Sequence, residues 1–449
     1  MAMSHRCGSV TWVNESDMTS AHRQDSHTGH DLTRSVAFKF ALDPTSEQCD
    51  QLRIFAGAAR LTFNHHLARV KDNLTERANE KESGATASDV TPSLSWSKVS
   101  FINEVNAWKN GQAPDSPTND DGTRGLSWRH QISTDVFECA SVDAAQALKN
   151  WSESKRGVRQ GKSTGFPRFK AKHRTTPSFR LRNRSQPGET QSVRFTDPKN
   201  LRLPKIGEVR IHGCSRKVRR MIENGRFHIF SATVSYRSGR WWVSINGVAA
   251  QFHHERRSTT NRHAAPVGVD LGLTSLAVAA SANGQHLKSF EGVKILRSSL
   301  DQLRAANKAL ARTEPGSEGH ARAKVRLNRL HANIANRRRF VTHQVSAELV
   351  RMATTLVRED LNMAGMRKNR SLALSVSDAA MGIPIRQLDY RVLWYGTHEI
   401  VADRWFASSK TCSSCGQVKE ALSLSQRTFA CPCGYVASRD VNAAVNLAR

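Results

Sequence analysis

The chain has 449 residues, of which 38% are hydrophobic and 24% charged, a composition typical of a folded protein with two or three domains. It carries 67 Lys and Arg against 39 Asp and Glu, so the formal net charge is +28. Such an excess of positive charge would repel itself in a compact fold without a polyanion to neutralise it, which favours a nucleic-acid partner. A generally basic protein, such as a ribosomal one, is the alternative.

Membrane insertion and export are not expected. No apolar run approaches the roughly 20 residues that span a bilayer. Residues 1–34 are polar, rich in His and Ser and unlike a signal peptide, and we interpret them as a disordered extension. Four of the eight cysteines lie within 22 residues near the C-terminus, a distribution that an exported disulfide scaffold would not have. The sequence therefore predicts a reducing, cytoplasmic compartment.

The first half of the chain begins with alternating apolar and polar residues, which predict a strand at residues 35–40. Thr45 or Ser46 can cap the helix that follows, with Gln48 placed as in a capping box. Two loop-rich stretches come next, and residues 142–151 are again helical in pattern.

Strand-like runs return after a basic segment at residues 154–220, and they lie at residues 193–195, 209–212, 227–236 and 241–245. The last two runs are joined by Arg237-Ser238-Gly239-Arg240, which predicts a hairpin turn. Short antiparallel strands with tight turns predict a small β-barrel, which starts at residue 35, is interrupted by the helices and resumes near residue 165.

The second half opens with two predicted strands, at residues 267–272 and 275–280. Leucines at helical spacing then predict a helical hairpin that is broken at Pro315-Gly316-Ser317, and a further strand ends at Glu359. The polar faces of the hairpin carry many more basic than acidic residues. Solvated helix faces normally mix the two signs, so we favour a surface that follows phosphates over a merely solvated one.

Three carboxylates occupy the ends of predicted elements. Asp270 ends a strand between Gly268 and Gly272, Glu359 ends another strand, and Asp440 opens the terminal helix. We interpret the two glycines as leaving room for a ligand. Phosphodiester hydrolysis by two Mg²⁺ ions requires hard carboxylate ligands of this kind. Each residue taken alone also fits a purely structural role, such as a helix cap for Asp440.

Four cysteines form two closely spaced pairs, with 15 residues between the pairs: Cys412, Cys415, Cys431 and Cys433. Four thiolates in such an arrangement predict a tetrahedral, structural Zn²⁺ site, because no open position is left for chemistry. A redox pair is the alternative, although it would need only two cysteines. The second pair has one intervening residue, so it is shorter than a usual zinc knuckle.

The second half resembles the split RuvC nuclease and embedded zinc ribbon of transposon-encoded TnpB proteins and of the compact type V CRISPR effectors related to them. The segments that carry this resemblance are GVDLGLTSLAVAAS, VREDLNMAGM, RWFASSKTCSSCG and CPCGYVASRDVNAA. A looser similarity extends to SVAFKFALDPTSEQ and GFPRFK, so that about residues 35–449 are covered. One departure is Ser438, where the family often has Asp.

The resemblance implies a multidomain α+β fold. Residues 35–50 and 165–265 would form a wedge domain, the oligonucleotide-binding-like β-barrel, with a helical recognition insertion at 51–164. A ribonuclease-H-like RuvC domain would follow at 266–403, including the basic hairpin at 296–349. A zinc ribbon at 404–437 and a final RuvC segment at 438–449 would complete the chain.

The implied activity is an RNA-guided cut in DNA beside a short duplex motif that the N-terminal lobe reads. Asp270, Glu359 and Asp440 would be catalytic and hold Mg²⁺, and the clustered cysteines would hold zinc. The partners would be a guide RNA and double- and single-stranded target DNA, with two copies on one guide RNA as a candidate assembly. The place of action would be the prokaryotic cytoplasm, at the nucleoid when the protein is bound to DNA.

Six basic residues are candidates for nucleic-acid contacts, because a guide–target heteroduplex is recognised through its backbone: Arg168, Lys170, Arg326, Arg329, Arg337 and Arg338. Four tryptophans could stack on bases, although packing in the core is favoured for each of them: Trp96, Trp108, Trp128 and Trp151.

Two other functions remain open at this point. An RNA-guided binder that does not cut would have a broken acidic set, whereas all three positions are intact here. An unguided DNA-binding accessory of transposition would rely on the zinc ribbon and leave the carboxylates without a role.

Overall fold

The computed structural model describes residues 11–12, 33–183, 190–250, 263–292, 294–371, 373–423 and 426–449. The chain forms two compact units, Met1–Ala250 and Gln251–Arg449. Most of the predicted N-terminal extension lies outside the described residues. Among the helices that are described, none has the length and apolar composition needed to cross a bilayer.

The described part of the first unit contains an antiparallel sheet with helices inserted between its strands. The strands are β1 (Thr11–Trp12), β2 (Thr33–Asp43), β3 (Ser178–Arg182), β4 (Arg194–Phe195), β5 (Asn200–Leu203), β6 (Gly207–His212), β7 (Phe227–Arg237) and β8 (Arg240–Ala250). The helices are α1 (Ser46–Glu82), α2 (Lys98–Lys109), α3 (Thr134–Lys155) and α4 (Arg216–Glu223). The strand order is β3-β7-β8-β2-β6-β5-β4, with β1 also paired to β2.

This sheet is open, so the prediction of a closed β-barrel is wrong. The strand at one end, β4, has only two residues and offers little edge for pairing. At the other end, β3 packs against helices: Phe179 lies 5.2 Å from Phe55 of α1, between ring centres. Arg182 of β3 pairs with Asp135 of α3 at 3.4 Å. Helices therefore lie against the strand that a barrel would have paired with another strand.

Two local predictions for this unit are confirmed. The Gln48 amide donates to Thr45 Oγ1 at 3.3 Å and the Thr45 amide donates to Gln48 Oε1 at 3.1 Å, which is the predicted capping box. Between β7 and β8, Ser238 and Gly239 have φ of 53° and 76°. Positive φ at both positions is the conformation of a type I′ turn, whose twist matches that of the strands it joins.

The inserted helices have an apolar core of their own, and the tryptophans belong to it. Trp96 and Trp151 pack against a cluster that α1, α2 and α3 share. Trp108 is buried, and Trp128 stacks on Phe137 with ring centres 6.1 Å apart. Core packing thus accounts for all four tryptophans, as the sequence favoured.

The described part of the second unit is built on a mixed sheet. Its strands are β9 (Val267–Asp270), β10 (Ser275–Ser281), β11 (His286–Glu291), β12 (Thr355–Glu359) and β13 (His398–Ala402), with a separate pair β14 (Thr428–Ala430) and β15 (Val436–Ser438). Its helices are α5 (Leu300–Ala311), α6 (Glu318–Met352), α7 (Met363–Lys368), α8 (Ala373–Ala379), α9 (Gly382–Tyr395) and α10 (Arg439–Ala448). The order is β11-β10-β9-β12-β13, in which β9 to β11 are antiparallel and β12 runs parallel to both neighbours.

Helices α5 and α6 form the predicted hairpin. The hydroxyl of Ser317 caps α6 by accepting a hydrogen bond from the His320 amide at 3.1 Å. Leu303 of α5 and Leu327 and Ile334 of α6 are buried in one cluster. This part of the hairpin is therefore held by contacts between its two helices, whereas the C-terminal part of α6 packs into the core of the second sheet through Val345, Leu349 and Val350.

The terminal helix α10 lies directly on β9 because Gly268 has no side chain. A Cβ atom at Gly268 would lie 1.9 Å from the carbonyl oxygen of Ala444. At Gly272 a Cβ atom would lie 3.0 Å from the Ser275 carbonyl oxygen, in the turn to β10. Chain packing thus explains these glycines, and the sequence-based interpretation that they leave room for a ligand is replaced.

We expect Gly268→Ala to destabilise the second unit by about 1–3 kcal/mol or more, because the added methyl group meets backbone that cannot rotate away. Calorimetric melting of the full chain measures this. Gly382→Ala is the matched control, since no atom lies within 4 Å of the position that its Cβ would take. Equal melting temperatures for the two variants would contradict the close approach of α10 to β9.

Candidate functional site

The three carboxylates named from the sequence come together at one edge of the second sheet. Asp270 is the last residue of β9 and Glu359 the last of β12. These strands are parallel neighbours, with Arg358 opposite Val269, so both acids leave the sheet at the same end. Asp440 lies in the first turn of α10, the helix that packs on β9. All three side chains are half-buried.

The clustering has an electrostatic consequence for Asp270. Burial, together with the charges of Glu359 and Asp440, raises the pKa of this carboxyl to about 8. The Arg439 guanidinium acts in the opposite direction. Three carboxylates held together in this way would gain from a bound cation, which relieves their mutual repulsion.

Glu359 is oriented by groups that the sequence did not single out. The Ser408 hydroxyl donates a hydrogen bond to Glu359 Oε1. The preceding residue, Arg358, is buried and pairs with Glu399 at 2.7 Å and Asp389 at 3.0 Å, which fixes the end of β12. The carboxylate at the sheet edge is therefore held from two sides.

Two buried asparagines tie α10 to the loop that carries the first cysteine pair. Asn442 accepts from the Ser413 amide at 2.9 Å and donates to the Thr411 carbonyl at 2.7 Å. Asn446 donates to the carbonyls of Ser408 and Thr411, both at 2.7 Å. The sequence signal for this role was the spacing of Asn442 and Asn446, two polar residues four positions apart on the apolar face of a short helix.

The four clustered cysteines converge as predicted. Their sulfur atoms all lie within 4.8 Å of one another. The distance is 3.8 Å between Cys412 and Cys433 and 3.6 Å between Cys415 and Cys431, too long for disulfide bonds of about 2.05 Å. The short second pair does not prevent convergence, because the chain turns back at Gly434, whose φ is 89°. The cluster is compatible with a bound metal ion.

The candidate nucleic-acid contacts differ in their surroundings. Arg168, Arg326, Arg329 and Arg337 are exposed. Lys170 is half-buried, with its ammonium 3.6 Å from the ring centre of Phe63, and burial lowers its pKa. Arg338 is half-buried near Asp378. The exposed members are thus the ones placed to meet a phosphate backbone, and the role of all six stays a prediction.

Three family models match the chain. One is described as "Cas12f1-like, TNB domain" and matches residues 384–447, and a second, "Probable transposase", matches residues 250–370. The third is described as a helix-turn-helix domain and matches residues 34–79, where the structure has β2 and α1.

Similar proteins span nearly the whole chain. A protein of Mycobacterium tuberculosis named "Putative RNA-guided DNA endonuclease" is 31% identical over 421 residues, which cover 92% of this chain and 86% of the relative. The Escherichia coli protein named "Putative RNA-guided DNA endonuclease InsQ" is 28% identical over 434 residues, covering 93% and 92%.

Among solved structures, the chain is similar to Cas12f1 in a complex with its guide RNA and target DNA. The TM-score is 0.50 at 12% identity, and the match covers 93% of this chain and 99% of that one. This likeness supports a mixed, multidomain α+β fold.

Replacing Asp270 by Asn should stabilise the protein in buffer without Mg²⁺ at pH 8. The folded-state pKa of about 8 lies above the ordinary value of 3.8, so the wild type loses stability as the pH rises through that interval. We expect a gain of about 2 kcal/mol, or roughly 5 °C, that shrinks as the pH falls towards 4. Thermal melting at several pH values measures it.

Asp360→Asn is the control for this measurement. Asp360 follows Glu359 directly and forms an ion pair with Arg404, so its replacement should give no such gain. An Asp270→Asn variant that melts below the wild type at pH 8 would mean that burial and the neighbouring carboxylates do not disfavour the charge on Asp270.

Proposed function

Because the chain belongs to the family of transposon-encoded TnpB proteins and compact type V CRISPR effectors, we propose that it is an RNA-guided DNA endonuclease. The observation that carries this proposal is the convergence of Asp270, Glu359 and Asp440 at one edge of the second sheet. A guided protein that binds without cutting would have no need of three acids that repel one another. The intact set therefore favours cleavage.

The second unit is the proposed nuclease. Its strands β9 to β11 are antiparallel, β12 and β13 are parallel, and α10 packs on β9. This arrangement supports the assignment of residues 266–403 and 438–449 to a ribonuclease-H-like RuvC domain. The segment between them, residues 404–437, is the proposed zinc ribbon. In the first unit, we assign the open sheet to a wedge lobe and residues 51–164 to a recognition insertion. These would read the flanking DNA motif and hold the guide.

The acidic edge fits Mg²⁺. Its donors are carboxylate oxygens, the ligands that hard divalent ions prefer. The pKa of Asp270 is raised by burial and by the charges of Glu359 and Asp440, which a cation would neutralise. When bound there, two Mg²⁺ ions would neutralise charge on the attacking and leaving oxygens of a phosphodiester. The protein's part is to hold Asp270, Glu359 and Asp440 in place, with Ser408 orienting Glu359.

The cysteine cluster fits zinc. Four thiolates bound tetrahedrally at about 2.3 Å lie about 3.8 Å apart, close to the observed 3.6 and 3.8 Å. Four protein ligands leave no open position, so we assign a structural role. Through Asn442 and Asn446, zinc at this cluster would fix the start of α10 and with it Asp440.

The partners follow from the charge and from the family. Guide RNA and target DNA are polyanions, and a net charge of +28 favours both. A heteroduplex is recognised through its shape and backbone, which requires exposed cations more than base-specific contacts. We propose that Arg326, Arg329 and Arg337 on the hairpin supply such cations, and that the protein acts on DNA in the cytoplasm.

Neutral variants of the acidic set test the proposed activity. Asp270→Asn, Glu359→Gln and Asp440→Asn should each lower Mg²⁺-dependent cleavage of guide-matched DNA by about 100-fold or more. Guide-dependent DNA binding, measured by mobility shift, should stay near the wild-type level. Asp360→Asn should still cut, because this neighbouring carboxylate pairs with Arg404. Wild-type cutting rates in the three site variants would overturn the assignment.

Salt dependence tests the hairpin surface. A triple variant with Ala at Arg326, Arg329 and Arg337 should bind RNA more weakly than the wild type, and equally so for all guide sequences. The slope of log affinity against log salt should become shallower by roughly 0.7–0.9 for each phosphate that the variant no longer neutralises. We leave Arg338 in place because it is half-buried.

The control removes basic residues elsewhere in the second unit. Lys288 and Arg404 pair with the acids Glu348 and Asp360, and replacing both with Ala should leave the slope unchanged. If the hairpin variant and this control behave alike, the hairpin charges serve solubility only.

A further inference from the structure

A second cluster of metal-ligand side chains lies in the first unit, between α1 and α2. It consists of His65 and His66 of α1 and Glu104 of α2, whose ligand atoms all lie within 4.8 Å of one another. His65 Nε2 is 3.3 Å and His66 Nδ1 3.5 Å from the same atom, Glu104 Oε1. This cluster has no part in the nuclease site, which belongs to the other unit.

Hydrogen bonding determines which nitrogen of His66 carries the proton. Its Nε2 lies 2.8 Å from the Ser141 hydroxyl, and that hydroxyl donates its own hydrogen to the Phe137 carbonyl at 2.9 Å. The hydroxyl must therefore accept from Nε2–H. In a neutral imidazole this leaves Nδ1 as a bare lone pair.

That lone pair points towards a carboxylate. The His66 side chain is fully buried. Neither its Nδ1 nor the buried Nε2 of His65 makes a hydrogen bond. Two acceptors facing each other in a buried place repel unless a cation lies between them. Arg69 already places a positive charge 2.6 Å from Glu104 Oε1, but His65 Nε2 and His66 Nδ1 still have no hydrogen-bond partner. The arrangement therefore favours a cation between the two rings and the carboxylate.

Aromatic contacts hold both imidazoles in this orientation. The His65 ring stacks on Trp108, with centres 4.2 Å apart, and the His66 ring stacks on Phe101 at 4.1 Å with 3° between the planes. Side chains fixed in this way present their nitrogens without a further loss of rotational freedom on binding.

We propose that His65, His66 and Glu104 form a second metal site, which takes Zn²⁺ or a divalent ion with the same preference for imidazole and carboxylate. Ligands about 2.1 Å from a tetrahedral ion lie about 3.4 Å apart, which matches 3.3 and 3.5 Å. The side chains of His65 and Glu104 are 12% and 18% exposed, so water can occupy the fourth position.

The neighbouring polar groups act as outer partners. Arg69 Nη1 lies 2.6 Å from Glu104 Oε1, and its Nε lies 3.9 Å from Asp115. Ion pairs of this kind, together with the hydrogen bond from His66 to Ser141, orient metal ligands in many sites. With two ligands on α1 and one on α2, the ion would join these helices and fix the inserted helical region.

Metal analysis of the purified full-length protein tests the proposal. We expect two zinc ions per chain, one at the cysteines and one at this cluster. His65→Ala and Glu104→Gln should each lose the zinc ion of this cluster and keep the one at the cysteines. Cys412→Ser should lose the zinc ion at the cysteines and keep the one at this cluster. His212→Ala is the control, since this exposed histidine also faces a carboxylate, that of Asp43 at 3.6 Å.

Cobalt substitution identifies the ligands independently. In the Cys412→Ser variant, added Co²⁺ should give the weak visible bands of a nitrogen- and oxygen-ligated ion, and Glu104→Gln in that background should abolish them. His65 lies at the rim of the cluster, so its replacement leaves the buried His66 packing intact, and circular dichroism checks the fold.

Wild-type protein with one zinc ion, unchanged by His65→Ala and lost in Cys412→Ser, would overturn the proposal. The cluster would then be a buried ion pair of protonated histidine, Glu104 and Arg69. Because metal content is read without any cleavage assay, failure here is distinguishable from failure of the nuclease assignment.

Discussion

Repulsion among three carboxylates is the constraint on which the second unit depends. Asp270 and Glu359 are brought together by the pairing of β9 with β12, and Asp440 reaches them only because α10 lies against β9. Strand register, the missing side chain of Gly268 and the packing of the terminal helix all work against this repulsion. The unit thus stores an unfavourable electrostatic arrangement that a cation would relieve.

The cysteine cluster is joined to the same acidic edge. Its first loop is hydrogen-bonded to α10 through Asn442 and Asn446. Ser408 joins the two sites, because its carbonyl accepts from Asn446 and its hydroxyl donates to Glu359. The loop of the first cysteine pair, the terminal helix and Glu359 are therefore linked by direct hydrogen bonds. Damage to the cysteines would reach the acidic edge through a short path of named contacts.

Periodicity and motif spacing were sufficient to predict the capped helix α1, the β7–β8 hairpin, the α5–α6 hairpin and the meeting of the acids and cysteines. These features depend on local chemistry or on residues with one dominant use. The sequence did not reveal that the first sheet stays open, because helices from an insertion occupy the end of β3.

Ser408, Asn446 and the pair His65–His66 were missed for a related reason. Each acquires its role from a partner distant in the chain, such as Glu359 for Ser408 or Glu104 for the histidines. Single serines, asparagines and histidines are common, so spacing alone does not distinguish them. Their partners become close neighbours only in the folded chain, so the structure is needed to identify them.

The α5–α6 hairpin offers an attachment point for protein engineering. Its two helices share an apolar cluster and α6 also packs into the core of the second sheet, while the turn between them is exposed at Glu314, Pro315 and Gly316. A foreign domain inserted at this turn would leave the sheet untouched. It would project a second enzyme, such as a base-modifying one, from a fixed position relative to the acidic edge.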